Sequence, residues 1–174
     1  ESTAPHIVIA TGSESRALPI EGMTLPGVLT SAEMLQIDHI PATLCVVGAG
    51  VIGVEFASIF ARLGSNVTMV EYAKEILPPF DSDISKRLRQ SLAKQCIAIN
   101  TAAAVTSIEQ IDNGLRVNFE QKGKATSAEA EVVLVAVGRA PRVNTLNLEA
   151  AGVEYSPRGV VVDDNMQTNV PGIY

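Results

Sequence analysis

A glycine-rich turn between two apolar segments limits what this chain can fold into more than any other feature. Residues 44–47 form a short apolar run that is typical of a buried parallel strand. The spacing G-x-G-x-x-G follows directly, at Gly48, Gly50 and Gly53. Apolar side chains then recur at helical intervals as far as Gly64, which occupies the position of a C-terminal helix cap. A second apolar run, residues 67–70, ends on Glu71, so the sequence predicts a strand–helix–strand unit over residues 43–71.

Each part of this pattern has a physical role in binding a dinucleotide. Gly48 permits a tight turn, Gly50 lets the backbone approach a pyrophosphate, and Gly53 allows the helix to pack closely on the strand. The N-terminus of the helix offers free N–H groups and the positive end of its dipole to phosphates. Glu71, which stands 18 residues after Gly53, can accept hydrogen bonds from ribose hydroxyls and repels a 2′-phosphate, which favours NAD over NADP. The alternative is an α/β domain whose glycines serve packing alone.

The remaining apolar segments predict a Rossmann-like α/β fold. Residues 105–108 and 115–119 flank Asp112-Asn113-Gly114, which is a strong hairpin signal. Residues 132–137 are wholly apolar, as expected of a central parallel strand. The sequence therefore predicts a parallel sheet in which an antiparallel β-meander replaces one crossover helix.

Four shorter elements are predicted around this framework. An apolar strand is expected at residues 6–10, and a third strand of the parallel sheet at residues 96–99. Thr30 and Glu33 have the spacing of a capping box and predict a short helix. A further helix is expected to begin near residue 81 or 82, where acidic residues precede an amphipathic pattern.

Composition and charge exclude several classes of protein. The 174 residues carry a formal net charge of −6, which argues against nucleic acid as a main partner because phosphate binding needs a basic surface. No apolar run approaches the roughly 18 residues that cross a bilayer, and residues 1–6 have no signal-peptide pattern. Cys45 and Cys96 form no C-x-x-C pair, and both are expected to be buried structural thiols. These features predict a protein without a membrane segment in a reducing, cytoplasmic setting.

Four motifs together resemble those of one family. Residues 10–13, Ala-Thr-Gly-Ser, are similar to its second FAD contact, and residues 48–55, Gly-Ala-Gly-Val-Ile-Gly-Val-Glu, to its NAD loop. Residues 137–141, Val-Gly-Arg-Ala-Pro, are similar to its Gly-Arg-x-Pro segment, and residues 168–174 to the lead-in to its third FAD motif. The motifs also occur in the order in which that family has them. Over essentially its whole length, the chain resembles the central part of the flavoprotein disulfide reductases, and most closely the dihydrolipoamide dehydrogenase group.

The resemblance implies a fold of the FAD/NAD(P)-binding domain type and a role for individual residues. Glu71 would hold the adenosine ribose of NAD, Val105 would touch the adenine, and Gly138 would approach the nicotinamide. The FAD of the full-length protein would be lined by Thr11, Gly12 and Ser13. The residues of the glycine turn and the start of the helix would contact the NAD pyrophosphate, and the last of them would reach toward the nicotinamide. These residues are Gly48, Ala49, Gly50, Val51, Ile52, Gly53, Val54 and Glu55. The implied chemistry is hydride exchange between nicotinamide and flavin, coupled to thiol–disulfide exchange, and no catalytic residue is expected in this chain.

Parts of the family pattern do not occur in the sequence. These are the first FAD-binding glycine loop, the redox disulfide and the dimerisation domain with its His–Glu pair. We therefore expect an excised piece: an edge of the FAD-binding domain with a linker at residues 1–40, the NAD-binding domain at residues 41–145, and a return segment at residues 146–174. The resemblance implies a homodimeric parent associated with a 2-oxoacid dehydrogenase complex, and the chain by itself is expected to be inactive.

Two alternatives remain open from the sequence. The same domain could belong to an NADH oxidase, a transhydrogenase or a mercuric reductase, since no residue of the chain would touch the substrate. It could also be a free-standing NAD-sensing module with no catalytic activity.

Overall fold

The computed structural model describes residues 4–174, which form two compact units. The larger unit is Ala17–Gly138, and the smaller combines the segment before residue 17 with Arg139–Tyr174. The helices are α1 (Ser31–Met34), α2 (Val51–Leu63) and α3 (Ser82–Lys94), with a 3-10 turn at Leu148–Ala151. The strands are β1 (Ser13–Ser15), β2 (Val28–Leu29), β3 (Thr43–Val47), β4 (Asn66–Val70), β5 (Ala98–Asn100), β6 (Ala103–Ile111), β7 (Gly114–Gln121), β8 (Lys124–Ala130), β9 (Val132–Val135), β10 (Arg139–Pro141), β11 (Tyr155–Ser156) and β12 (Gly159–Val160).

A five-stranded parallel sheet organises the larger unit, which confirms the predicted fold class. Its strand order is β2-β9-β3-β4-β5, with β3 paired to β4 on one side and to β9 on the other. Strands β6, β7 and β8 form a separate antiparallel sheet, joined in part by the predicted hairpin turn at residues 112–114. The chain therefore returns from the edge strand β5 to β9 through the meander, as the sequence predicted.

The two faces of the parallel sheet carry different layers. Leu44 and Val46 of β3 belong to a core shared with helices α2 and α3, where Phe60 and Leu92 are buried. The alternate side chains of β3 and β9 lie in a second core with the meander. That core includes Cys45, Val47, Val133, Val135, Leu115, Val117 and Phe119. Because β3 and β9 are covered on both faces, their buried residues, 44–47 and 132–135, are all apolar.

Local sequence signals set the ends of the helices. Thr30 and Glu33 form the predicted capping box of α1, since the Thr30 N–H donates to Glu33 Oε2 at 2.7 Å. Helix α2 ends at Gly64, which has the left-handed conformation of a C-terminal cap (φ 104°). Helix α3 begins at Ser82 with Asp81 as its N-cap residue, close to the predicted start. Among residues 4–174 there is no helix with the length and apolar character needed to span a bilayer.

Two predicted strands differ from the structure. Cys96 does not begin β5 but lies in the turn after α3 with φ 62°, so the strand starts two residues later, at Ala98. The predicted strand at residues 6–10 is reduced to a single parallel bridge between Ile7 and Ile173, although the Ile9 N–H also donates to the Tyr174 carbonyl at 2.6 Å. At Cys96 the left-handed turn that ends α3 delays the strand, and at residues 6–10 only Ile7 forms a bridge.

The boundaries of the two units differ from the predicted domain boundaries. By contacts, residues 17–40 belong to the larger unit and residues 139–145 to the smaller one. The smaller unit contains the antiparallel pairs β1–β10 and β11–β12 and a core of its own around Val143, Leu148 and Val153. The assignment of residues 1–40, 41–145 and 146–174 to FAD-binding and NAD-binding domains stays a prediction.

At the opposite edge from the carboxyl ends of the strands, His39 joins two carboxylates. Its Nδ1 lies 2.9 Å from Asp38 Oδ1, and its Nε2 lies 3.1 Å from Glu131 Oε1. The second oxygen of Glu131 accepts from the Ala42 N–H at 2.8 Å, so the cluster ties the loop before β3 to the start of β9. The hydrogen bond to Asp38, followed by Glu131, raises the pKa of His39 above its ordinary value.

This raised pKa predicts a pH-dependent contribution to stability. The stabilisation by protonated His39 is complete below the pKa of histidine in the unfolded chain and is lost as the pH rises through the raised folded-state pKa. We expect His39→Gln to lower the melting temperature by a larger amount at about pH 5.5 than at about pH 8.5. The effect should be small because the side chain is exposed. Equal melting differences at the two pH values would contradict it.

Candidate functional site

A groove lies where the carboxyl ends of β3, β4 and β9 meet. The three strands are parallel, so the turns that follow them share one edge of the sheet, which is where open α/β sheets bind ligands. The groove has a volume of about 700 Å³ and is mainly apolar. It is lined by Leu18, Val47, Gly48, Gly50, Val51, Ile52, Val70, Glu71, Tyr72, Pro78, Pro79, Ala103, Ala104, Val105, Ala136, Val137 and Gly138.

Helix α2 begins at the floor of this groove. Gly50 is its N-cap residue, and the first intrahelical bond runs from the Val54 N–H to the Gly50 carbonyl at 3.0 Å. The N–H groups of the three residues before Val54 therefore lie ahead of the first helical hydrogen bond and are directed along the helix axis. Together with the positive end of the helix dipole, they form a site suited to an anion such as a phosphate.

Packing within the fold explains two of the three motif glycines. Gly48 has φ 101°, and a Cβ on it would lie 2.5 Å from the Ala136 carbonyl oxygen, so both conformation and space require glycine. A Cβ on Gly53 would lie only 2.0 Å from the Gly48 carbonyl oxygen. The absence of a side chain at Gly53 is thus what allows α2 to start so close to the end of β3.

Gly50 differs from its two neighbours in the motif. Its φ of −72° and ψ of −174° are accessible to any residue, and a Cβ there would meet no atom within 4 Å from described residues other than its immediate chain neighbours and nearby helix backbone. The fold offers only the modest preference for glycine over alanine at an N-cap as a reason for this residue. The open space beside Gly50 belongs to the groove, so the backbone at this position is open to close approach from the groove.

Glu71 makes contacts that the sequence did not suggest. The half-buried carboxylate accepts from the Ala49 N–H through Oε2 at 2.5 Å and from the Ala73 N–H through Oε1 at 2.6 Å. It therefore joins the glycine turn after β3 to the turn after β4. The pattern Gly-x-Gly…Glu identified the residue, but only the paired backbone donors show that it also shapes the groove.

The structure brings together most of the residues predicted to contact NAD. Those that line the groove are Gly48, Gly50, Val51, Ile52, Glu71, Val105 and Gly138. Ala49, Gly53 and Val54 are buried beneath the turn, whereas Glu55 is exposed on α2 and lies outside the lining. Sequence reasoning missed Tyr72 and Ala104, which belong to none of the motifs described above and are brought to the groove only by the fold.

The predicted FAD contacts lie in the smaller unit. The Thr11 hydroxyl donates to the Arg142 carbonyl at 2.6 Å, and Ser13 lies opposite Pro141 in the β1–β10 pair. Arg139 donates through Nε to the Ser13 hydroxyl at 2.7 Å. Two motifs that are far apart in the sequence, residues 11–13 and 139–142, are therefore neighbours within this unit.

Neither cysteine has the environment of a reactive thiol pair. Cys45 is buried in the parallel sheet, as predicted, and burial raises its pKa to about 12. The prediction of a buried Cys96 is wrong, because this residue is exposed in the turn after α3. Both thiols are free, and within residues 4–174 no group of three or more His, Cys, Asp or Glu side chains could hold a metal ion.

Comparison with known proteins decides the family. Residues 1–174 match the family described as Pyridine nucleotide-disulphide oxidoreductase. The chain belongs to this family. Dihydrolipoyl dehydrogenase of Bacillus subtilis is 39% identical to it over 98% of the chain, and mercuric reductase of Bacillus cereus is 39% identical over 99%. The resemblance inferred from the motifs is thereby confirmed.

Solved structures of a flavoprotein disulfide reductase share the fold. A copper(II) complex of the HOCl-induced flavoprotein disulfide reductase RclA from Escherichia coli superposes with a TM-score of 0.87 and 36% identity over 97% of the chain. The chain covers 39% of that structure, 37% of the Bacillus subtilis relative and 27% of the Bacillus cereus relative. It thus spans between about a quarter and two fifths of the lengths of these three proteins.

Proposed function

We propose that the larger unit is the NAD-binding domain of a dihydrolipoyl dehydrogenase-type oxidoreductase. The observation that carries the proposal is Gly50, whose missing side chain the fold does not need but a closely bound pyrophosphate does. Its position at the start of α2, inside an apolar groove that ends at Glu71, supports a dinucleotide as the ligand. Membership of a family of flavin- and nicotinamide-dependent oxidoreductases agrees with this ligand class.

The residues of the groove fit NAD at three points. The N–H groups at the start of α2 would hold the pyrophosphate, and Glu71, which already orders the turn by accepting from the Ala49 N–H, would accept from the adenosine ribose. Val105 on the apolar wall would contact the adenine, and Gly138 would border the nicotinamide. The bound nicotinamide would supply a hydride acceptor or donor. The chain's own part is to orient it and to exclude water with an apolar lining.

The full-length protein would contain FAD and act on a disulfide or dithiol. In this proposal Thr11, Gly12 and Ser13 contribute to the flavin site, and the parent is a homodimer that associates with a 2-oxoacid dehydrogenase complex in the cytoplasm. The dihydrolipoyl assignment is supported by several relatives with that name at 39–41% identity. Because mercuric reductase of Bacillus cereus is as similar, at 39%, a metal-reducing parent is the second candidate.

The preference for the unphosphorylated cofactor is the direct test of the Glu71 assignment. We expect the chain to bind NADH more tightly than NADPH, because the carboxylate accepts from a ribose hydroxyl and repels a 2′-phosphate. Glu71→Gln removes the charge and should narrow the preference about fivefold. It keeps one acceptor oxygen for the Ala49 or the Ala73 N–H and turns its amide NH2 toward the other, so its melting temperature should be measured alongside. Calorimetric titration with both nucleotides gives the ratio. Equal affinities of the parent chain, or tighter NADPH binding, would remove this assignment.

The same proposal predicts that the purified chain is colourless and catalytically inert. It contains no second glycine loop for FAD, and its only cysteines are a buried thiol of high pKa and an exposed one. We expect no flavin absorption band and no NADH formation from NAD and dihydrolipoamide. Turnover by the chain, or flavin that co-purifies in stoichiometric amount, would show that these 174 residues bind flavin or catalyse the reaction by themselves, and would contradict the prediction.

A further inference from the structure

An exposed aromatic side chain stands at the Glu71 end of the groove. Tyr72 is 82% exposed, the largest fraction among the large hydrophobic side chains of the described residues. It lines the groove and also a second, shallower depression beside it, and Ala104 lines both as well. Tyr72 therefore stands at the rim between the groove and the neighbouring depression.

The backbone beneath Tyr72 is held on both sides. The Glu71 N–H donates to the Asn100 carbonyl at 2.8 Å, and the Ala73 carbonyl accepts from the Ala102 N–H at 2.7 Å. The Glu71 carboxylate in turn accepts from the Ala73 N–H at 2.6 Å. A single exposed aromatic is common on protein surfaces. This one is presented to solvent from a backbone that is fixed at the residues before and after it, directly beside the groove.

We propose that the ring of Tyr72 stacks on the adenine of the bound nucleotide. This deepens the proposed function and rests on it, because Glu71 marks the adenosine end of the groove. The base would lie between the phenol ring and the apolar wall that includes Ala104 and Val105. Both faces of the adenine would then be removed from water. The cost of ordering is low because the main chain is already fixed and a tyrosine has only two side-chain torsions.

The charges nearby favour a neutral ring over an anion at this rim. Lys74 and Lys122 line the outer depression, but Glu120 lies there too and Glu71 is next to Tyr72. Two cations are thus balanced by two carboxylates, which gives no net attraction for a phosphate. A planar, uncharged base suits this surface better.

Binding of ADP-ribose by variants of the 174-residue chain tests the stacking. Tyr72→Ala should weaken ADP-ribose binding roughly 5- to 150-fold, while Tyr72→Phe, which retains the ring, should bind like the parent. Phe80→Ala is the matched control, since Phe80 is an exposed aromatic of the same unit outside the groove lining. Its affinity should be unchanged. All three variants should be checked for a melting temperature close to that of the parent.

A second measurement reports on the ring itself. The chain has three tyrosines and no tryptophan, and Tyr72 is the only tyrosine in the larger unit. Stacking predicts that its ring proton resonances move upfield on addition of ADP-ribose. Parent-like affinity of Tyr72→Ala, equal weakening in Tyr72→Phe, or an unshifted Tyr72 ring would overturn the inference while leaving the dinucleotide site intact. A parent chain that binds neither ADP-ribose nor NADH would overturn the proposed function, and the inference with it.

Discussion

Replacing Gly53 with alanine should destabilise the chain, although alanine is the better helix former. Alanine is favoured over glycine by about 1 kcal/mol in a helix interior, and this residue, in the first turn of α2, would gain at most that amount. The new Cβ, however, would lie 2.0 Å from the Gly48 carbonyl oxygen and 3.2 Å from Val46 Cγ1. A backbone oxygen cannot rotate away, so α2 must move off the end of β3. Overpacking of this kind costs about 1–3 kcal/mol and sometimes more, and we place this case at the upper end.

The expected net loss is about 2 kcal/mol, or roughly 6 °C in the melting temperature of a unit of this size. Thermal melting and urea unfolding of the Gly53→Ala variant measure it, and NAD binding should be lost as well because the helix N-terminus is displaced. Gly50→Ala is the matched control, since it makes the same chemical change three residues earlier without a clash. A Gly53→Ala variant as stable as the parent would mean that α2 does not lie as close to β3 as described.

Replacing Gly50 with alanine should abolish NAD binding with little loss of stability. The backbone angles at Gly50 suit alanine, and no clash is expected within the protein. The weaker N-cap preference of alanine costs about 1 kcal/mol or less, equivalent to a few degrees in melting temperature. The added methyl group would occupy the space through which a pyrophosphate reaches the N–H groups of α2.

Thermal melting with and without NAD separates these two effects. NAD at about 100 times its dissociation constant should stabilise the unsubstituted 174-residue chain by about 2.7 kcal/mol. We expect this stabilisation to disappear in Gly50→Ala while the ligand-free melting temperature stays within a few degrees of the parent. If NAD raised the melting temperature of the variant as much as that of the unsubstituted chain, the phosphates of NAD would have to bind elsewhere.

The central part of the fold could be predicted because its signals are local. The apolar run of β3, the glycine spacing and the helical period of α2 all lie within residues 44–64, and each agrees with the others. The hairpin between β6 and β7 was equally readable from Asp112-Asn113-Gly114. Where a segment's own sequence supplies both the pattern and the boundary, structure follows from it directly.

Boundaries without such signals were misplaced. Cys96 occupies a left-handed turn position that glycine or asparagine usually fills. Because that signal is missing, the sequence does not mark the end of α3, and Cys96 looks like the first residue of the apolar strand that follows. The same run suggested a buried thiol, whereas the turn exposes it. Residues 6–10 look like a strand, yet only Ile7 forms a bridge, since a strand requires a partner along its length as well as a pattern.

Contacts between distant segments could not be read from the sequence at all. The pairing of Ser13 with Pro141 joins residues more than a hundred positions apart, and no periodicity reveals it. The double role of Glu71 also depends on such contacts, because its Ala49 partner lies in a different turn. Motif spacing predicts a ligand-binding role for this carboxylate, but the fold was needed to show that it orders the glycine turn.

An amide NMR titration of the uniformly ¹⁵N-labelled chain with NADH would locate the nucleotide site residue by residue. If the groove binds NAD, saturable shifts should be concentrated at residues 48–53, 71–73, 103–105 and 136–138, which line or support the groove, with weaker effects at the far edge of the sheet around His39. The Gly50→Ala variant should show none of these shifts at the same NADH concentration. Saturable shifts centred away from the start of α2, or no saturable binding by the parent chain, would contradict the assignment of this groove to NAD.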